Sequence, residues 1–359
     1  MRRRRTVYSL TGSLIAWEVA TGLYMIVRFC GTGDTIDWID SFWGMVGLWL
    51  VGGCLLGVMD WLVTTAIFGS RLRSFPFGVL TVLRVSVLLG GFLGVILISR
   101  CLSAMAGESG LSGILPSFWD RVDDPRTVGA LVYLSVAASM ITFIKQTSSL
   151  VGGRVLLNLA TGKYRKPKTE ERIFMFLDLR SSTSHAERLG NERFCRLVQD
   201  CFRDLTDAAL RHSVEIYKYV GDEAILTWNL GDGLRGRNCL EVFFTFCDSI
   251  EKRRSYYVES YGVFPEFKAG VNVGSVTVLE IGVIKREIAY LSDVLNTAAR
   301  IEGKCVEFGQ QLIISEYLRV LFEERSGARE AFRFERLGAI DLRGRAEAVD
   351  LFGVERRVI

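Results

Sequence analysis

Two aspartates have the type and surroundings for phosphate chemistry. Asp178 closes the apolar run in IFMFLDLRSST (residues 173 to 183), and Asp222 stands in the turn of KYVGDEAIL (residues 218 to 226). A carboxylate placed where a buried strand stops is exposed yet rigid, and two such strands side by side can hold two magnesium ions on a triphosphate. Taken singly, Asp178 reads as a helix cap and Asp222 as a turn former, the commoner roles of such residues. Asn296 and Arg300 form a second pair, four apart on a predicted helix and therefore on one face. An exposed polar helix face is the ordinary account of such a pair. A guanidinium there is also permanently charged, planar and able to donate two hydrogen bonds to phosphate oxygens. The two histidines, His185 and His212, are too few and too far apart for a histidine metal site, and the eight cysteines contain no CxxC spacing. Histidine acid–base chemistry and a thiolate metal site are therefore not expected.

These side chains need rigid elements beneath them, and from residue 171 onward the periodicities alternate. Residues 173 to 177 are a continuous apolar run suited to a central strand. Ser181, Ser182, Thr183 and Ser184 supply caps for a helix over 185 to 210. Residues 214 to 219 and 224 to 228 read as a hairpin around Gly221-Asp222. A helix over 240 to 257, strands over 267 to 273 and 276 to 280 on either side of Gly274, and a helix over 294 to 308 follow, with late strands over 311 to 314 and 348 to 354. The order strand, helix, strand, strand, helix, strand is that of a ferredoxin-like α+β sheet with additions. Such a fold hosts many functions, so the site must decide.

The N-terminal part is of another kind. The 359-residue chain is long enough for two or three domains, and its 49% hydrophobic content with positive mean hydropathy is high for a soluble protein. The excess sits in the first 150 residues. Four stretches, about residues 7 to 28, 42 to 68, 76 to 99 and 127 to 147, are long enough to cross a bilayer, so residues 1–147 are expected to form an all-α four-helix transmembrane domain. The first is not expected to be a signal peptide, because the run is too long, carries Glu18 and leads into a second span. Basic residues fall at positions 2 to 5, at Arg71 and Arg73, and at Arg154, Lys163, Arg165, Lys166 and Lys168, whereas the first loop has Asp34, Asp37 and Asp40. This distribution predicts a multi-pass protein of the cell (inner) membrane with both termini cytoplasmic. Glu18, Asp60 and Arg84 lie at membrane depth, where charge is costly, and an interhelical pair such as Asp60 with Arg84, snorkelling, or a sensing role would account for them. Cys30 and Cys101 fall at outer span ends, where a disulfide is geometrically conceivable. Residues 148–170, with Gly152, Gly153, Gly162 and KYRKPK, read as a basic, poorly periodic linker that touches anionic lipid head groups or transmits membrane events.

The segments FLDLRSST, KYVGDEAIL, AGVNVGSVTVLEIG and LSDVLNTAARIE, in this order, resemble the catalytic domain of class III adenylate/guanylate cyclases over roughly residues 170 to 356. The resemblance implies a ferredoxin-like cyclase catalytic domain over 171–359 that converts ATP to 3′,5′-cyclic AMP and pyrophosphate. It implies two Mg²⁺ or Mn²⁺ ions per active site on Asp178 and Asp222, with the backbone carbonyl of Leu179 as a further ligand. Asn296 would orient the ribose, Arg300 would stabilise charge at the reacting phosphate, and Arg343 would be a further phosphate contact. Lys218, three residues before the Gly-Asp turn, matches the lysine of adenine-using members, where guanine-using members carry an acid. The second base-reading position, usually Asp or Thr, aligns with Ala289, which offers no side-chain hydrogen bond. Ser181-Ser182 also departs from the family's Gly-Phe, and Glu223 is expected to be a solvated turn residue. Family sites are shared, so one chain would supply Asp178 and Asp222 and its partner Lys218, Asn296 and Arg300, in a two-fold homodimer. The implied partners are ATP, a second copy and membrane lipid, with no nucleic acid. A guanylate cyclase, a diguanylate cyclase and a catalytically silent receptor are the alternatives. The Asn296-x-x-x-Arg300 pattern argues against the diguanylate reading, and retention of all four polar residues argues against silence.

Overall fold

The computed structural model describes residues 2–32, 38–69, 75–105, 114–326, 331–340 and 348–357. The chain divides into two compact units, Met1–Val151 and Gly152–Ile359.

The first unit consists of α1 (Arg2–Thr32), α2 (Trp38–Gly69), α3 (Phe77–Met105), α4 (Ile114–Asp123) and α5 (Pro125–Val151). Four of these contain windows long and apolar enough to cross a membrane: Leu10–Val27, Trp49–Ala66, Gly78–Ile98 and Thr127–Val151. Helices suit such sequences because every backbone polar group is satisfied within the segment. The short α4 falls where a plain loop was expected. Trp17, Leu88, Leu134 and Ala138 form the apolar centre of the unit. The polar residues pair differently from expectation. Asp60 is buried and bonds Lys145 of α5, which also donates to Ser13 Oγ at 2.8 Å. The long lysine stem lets one ammonium serve α1 and α2 together. Arg84 is buried as well, but no ion pair joins it to Asp60 and its Nε has no partner among the described residues. Cys54 Sγ lies 3.3 Å from Glu18 Oε1. Cys101 is a free thiol; the side chain of Cys30, like Asp34, Asp37, Arg71, Arg73 and Arg343, lies outside the described residues.

The second unit opens with α6 (Gly153–Ala160), β1 (Lys168–Leu179), α7 (Ser182–Leu189), α8 (Asn191–Arg211), β2 (Glu215–Val220) and β3 (Glu223–Asn229). It continues with α9 (Leu230–Leu234), α10 (Asn238–Lys252), α11 (Arg254–Tyr261), β4 (Phe267–Ile281), β5 (Glu287–Leu291) and α12 (Asp293–Gly303). The last elements are β6 (Leu312–Ser315), α13 (Glu316–Ser326), β7 (Phe332–Ile340) and β8 (Val349–Arg356). The sheet runs β2-β3-β1-β4-β6-β8-β7, with β5 paired to β4. Its first four strands have the ferredoxin-like order and are antiparallel.

The continuous apolar run of β1 follows from coverage of both faces. Ile173, Met175, Leu177 and Leu179 join the core that includes Leu197, Leu205, Phe243 and Phe246 from α8 and α10. Phe174 and Phe176 join the opposite core, with Val294 and Ala298 of α12. Gly274 does not split β4, because it pairs in register with Arg172 of β1 and the ladder passes through it. The helix expected over 185 to 210 breaks at Gly190, where φ is 73°, and the next one is interrupted at Arg253. Ser181 begins α7 without a side-chain capping bond. The supposed linker is built into this unit: Val155 and Leu159 of α6 pack on the α12-side core. Arg154 Nη1 lies 2.6 Å from Glu215, which also receives a bond of 2.8 Å from the buried Arg172. Arg172 donates in turn to Tyr290 Oη at 2.9 Å.

Candidate active site

Asp178 is the eleventh residue of a strand with neighbours on both sides, so its position is set by register. It stands opposite Glu223 of β3 and opposite Lys268 of β4. The β2–β3 hairpin closes through Gly221-Asp222, with the glycine at a φ of 62°, which favours residues without a Cβ. Asp222 therefore immediately precedes Asp178's cross-strand partner, and both aspartates come to the same end of adjacent strands, with Leu179 next to Asp178. Alternation along the strands turns Asp178, Glu223 and Lys268 toward α12.

The electrostatics of this row are unbalanced. Lys268 Nζ lies 2.8 Å from Asp178 Oδ2 and also bonds Glu302 of α12, giving one ammonium between two carboxylates. Glu223 is half-buried and is not a solvated turn residue: burial, then repulsion from Asp178, Glu302 and Asp222, pushes its carboxyl up to about 7, against the attraction of Lys268. Asp222 Oδ2 is buried with no hydrogen-bond partner among the described residues. An orphaned carboxylate oxygen beside a second carboxylate is the donor set a hard divalent cation takes, so these residues fit Mg²⁺ or Mn²⁺. Among the described residues no three His, Cys, Asp or Glu side chains converge as a ready metal cage, and two carboxylates plus a backbone carbonyl suit ions that also bind substrate phosphates.

Helix α12 carries the second pair. Ser292 caps it by accepting from Val294 N at 3.2 Å. The helix lies close on β4 at Gly270, where a Cβ would sit 2.2 Å from Glu302 N and 2.6 Å from Ala298 O. Val294, Ala298, Ile301 and Glu302 face inward, whereas Asn296 and Arg300 are exposed on the opposite side. Within one chain the two polar residues are thus turned away from the side of the helix that meets Lys268.

The residues expected to read the base are placed by a tertiary route. A register shift between Ile216 and Lys218 bulges β2 at Tyr217 and sets Lys218 opposite Ile225, on the face of Glu223 and Asp178. The β4–β5 arm curls over that face, so that Tyr290 packs edge-on against Phe174 and Tyr217, with ring centroids 5.3 and 4.9 Å away. Lys218 Nζ then lies 3.2 Å from Glu287 Oε1. This contact and its surroundings raise the lysine's pKa against the opposing, largest effect of burial. Ala289 is buried on the same strand. The carboxylate beside Lys218 is thus Glu287, two residues before Ala289. Sequence reasoning missed Glu287 and Lys268; a charged residue two positions from a buried small one on a short strand was the available signal for the first.

The sequence model of the adenylate and guanylate cyclase catalytic domain matches residues 165–354. Adenylate cyclase 2 of Rhizobium meliloti (strain 1021) is 35% identical over 240 residues, which cover 67% of this chain and 62% of that protein. The adenylate cyclase of Anabaena cylindrica is 22% identical over 191 residues, 52% of this chain and 37% of that one. The chain thus spans less than two thirds of the length of either relative. Among solved structures, the adenylyl cyclase CyaB from P. aeruginosa aligns with a TM-score of 0.45 and 18% identity over 53% of this chain and 96% of that chain. Since the matched residues make up more than half of its length, this chain belongs to the adenylate and guanylate cyclase catalytic-domain family.

Proposed function

We propose that this chain is a membrane-anchored adenylate cyclase that converts ATP to 3′,5′-cyclic AMP and pyrophosphate at sites shared by two copies. The observation that carries the reading is the pair Asp178 and Asp222 at adjacent strand ends, with a buried oxygen on Asp222 that has no partner among the described residues. Two Mg²⁺ or Mn²⁺ ions held by Asp178, Asp222 and the Leu179 carbonyl would supply charge neutralisation for the triphosphate and activation of the ribose 3′-hydroxyl. Asn296 hydrogen-bonds the ribose and keeps the 3′-oxygen in line with the α-phosphorus. Arg300 donates two hydrogen bonds to the α-phosphate oxygens as the new O–P bond forms and the bond to pyrophosphate breaks. Lys218 donates to an adenine ring nitrogen, and Glu287 accepts from the exocyclic amino group, replacing the acceptor that Ala289 lacks. The outward aim of Asn296 and Arg300 supports the shared arrangement, because these residues face a second subunit more readily than their own carboxylates. The four apolar helices, with basic residues flanking them at the N-terminus and at Arg154 and Lys163, support a cell-membrane location with both termini cytoplasmic. The segment that follows the membrane unit, through Val155, Leu159 and Tyr164 packed on the core that also holds α12, is suited to carry a change in that unit toward Asn296 and Arg300.

The test is an assay of the purified full chain in detergent with ATP or GTP and Mn²⁺. Cyclic AMP is the expected product, and cyclic GMP as the main product would overturn the base assignment. Asp178→Ala and Arg300→Ala chains should each be inactive and regain activity on mixing, since a mixed dimer keeps one intact site. Failure of that rescue with folded dimers would remove the shared-site reading.

A further inference from the structure

Lys268 belongs to none of the residues assigned to substrate or metal, yet it sits between two carboxylates of the site. Its side chain is 12% exposed and lies between Asp178, 2.8 Å away, and the inward carboxylate of Glu302. Asp222 and Glu223 add two more carboxylates around the same strand ends. One ammonium therefore offsets part of the charge of four acids in the metal-free chain. A divalent cation on Asp178 would repel an ammonium at that distance, and the ammonium has a second seat on Glu302.

Resting on the metal-binding reading of Asp178 and Asp222, we propose that Lys268 is a positioning residue and exchangeable counter-ion. It holds the Asp178 carboxylate while no metal is bound, and it yields that carboxylate to the metal by moving its charge onto Glu302. Because Glu302 lies on α12, on the side opposite Asn296 and Arg300, the exchange ties occupancy of the metal seat to the helix that carries those residues. Gly270, two residues along β4 on the same face, keeps α12 close enough for the contact.

The test is Mn²⁺ binding to the full chain in detergent without nucleotide, read from the electron paramagnetic resonance signal of free Mn²⁺. Removing a unit charge about 5 Å from a divalent ion shifts its binding about tenfold even at a water-like dielectric. Lys268→Met should therefore bind Mn²⁺ about tenfold more tightly than wild type while its kcat falls, and Lys268→Arg should restore the wild-type affinity. The double variant Lys268→Met/Glu302→Gln, which leaves no buried unpaired carboxylate that could unfold the chain, should bind Mn²⁺ about tenfold more tightly than Glu302→Gln alone. Affinity equal to or weaker than that of Glu302→Gln in the folded double variant overturns the counter-ion role. Mn²⁺ binding that is absent in wild type, or unchanged by Asp178→Asn, overturns the metal seat itself and this inference with it.

Discussion

The seating of α12 on β4 makes Gly270 the most informative single position in the catalytic unit. A Cβ added there would lie 2.2 Å from Glu302 N and 2.6 Å from both Ala298 O and Glu302 Cα, all backbone atoms that cannot rotate aside. Restoring the 3.4 Å of ordinary contact from 2.2 Å requires α12 to retreat by 1.2 Å. Overpacking of this kind costs roughly 1–3 kcal/mol of stability. The catalytic effect should be larger, because a displacement of about 1 Å in a positioning group lowers turnover about 10²-fold, or about 2.7 kcal/mol of barrier. Gly270→Ala should therefore stay folded, with a lowered thermal midpoint and a kcat for cyclic AMP formation reduced about a hundredfold. Gly303→Ala is the control: it is on the same helix, a Cβ there meets nothing within 4 Å, and activity should be retained. A Gly270→Ala enzyme with wild-type kcat and wild-type thermal midpoint would refute the reasoning that close α12–β4 contact positions Asn296 and Arg300.

Three further outcomes can be measured. Ser181 adopts a left-handed conformation at φ 54°, which costs a non-glycine residue roughly 1 kcal/mol, so Ser181→Gly should raise stability to chemical denaturation by about 0.5–1 kcal/mol. Arg172 is 2% exposed and binds Glu170, Glu215 and Tyr290; Arg172→Met removes the buried cation these half-buried groups share, leaving Glu170 only Lys163 and Tyr164 and Glu215 only Arg154, and should lower stability by about 1–3 kcal/mol, so an unchanged denaturation midpoint would contradict this. His212 is held in its neutral form mainly by burial, with ring nitrogens 3.2 Å from Asn238 Oδ1 and 2.9 Å from Thr245 Oγ1. Its folded pKa lies below the ordinary value of 6.5, so its contribution to stability is complete above pH 6.5 and lost as pH falls through the folded pKa. Thermal midpoints of wild type should fall on acidification below pH 6.5 more steeply than those of His212→Gln.

Several parts of the site were legible because they depend on short stretches of chain. The run before Asp178 is apolar at consecutive positions, which only a strand covered on both faces explains at that length, and Gly221-Asp222 between two alternating segments is a hairpin turn by its own torsional preferences. The helix bearing Asn296 and Arg300 follows from periodicity, and the four long apolar helices follow from length and hydropathy alone. Other parts were not legible. Strand β5 has only five residues and β7 carries charged residues along an outer strand, so neither has a strong period of its own, and α13 is short, with its core-facing Leu318, Leu321 and Phe322 set among charged residues. Residues 153 to 160 looked like linker because their apolar face gains meaning only against the core beside α12.

Chemistry and local geometry were therefore written in the sequence: which carboxylates end strands, which turn needs glycine, which two polar residues share a helix face. Tertiary structure decided who meets whom. The bulge at Tyr217 and the curl of the β4–β5 arm bring Lys218 to Glu287. Cross-strand register places Glu223 and Lys268 on either side of Asp178, and the closeness permitted by Gly270 brings Glu302 of α12 to Lys268. Such contacts join residues tens of positions apart, and no pattern within a strand or helix records them, because they arise from the packing of one element against another.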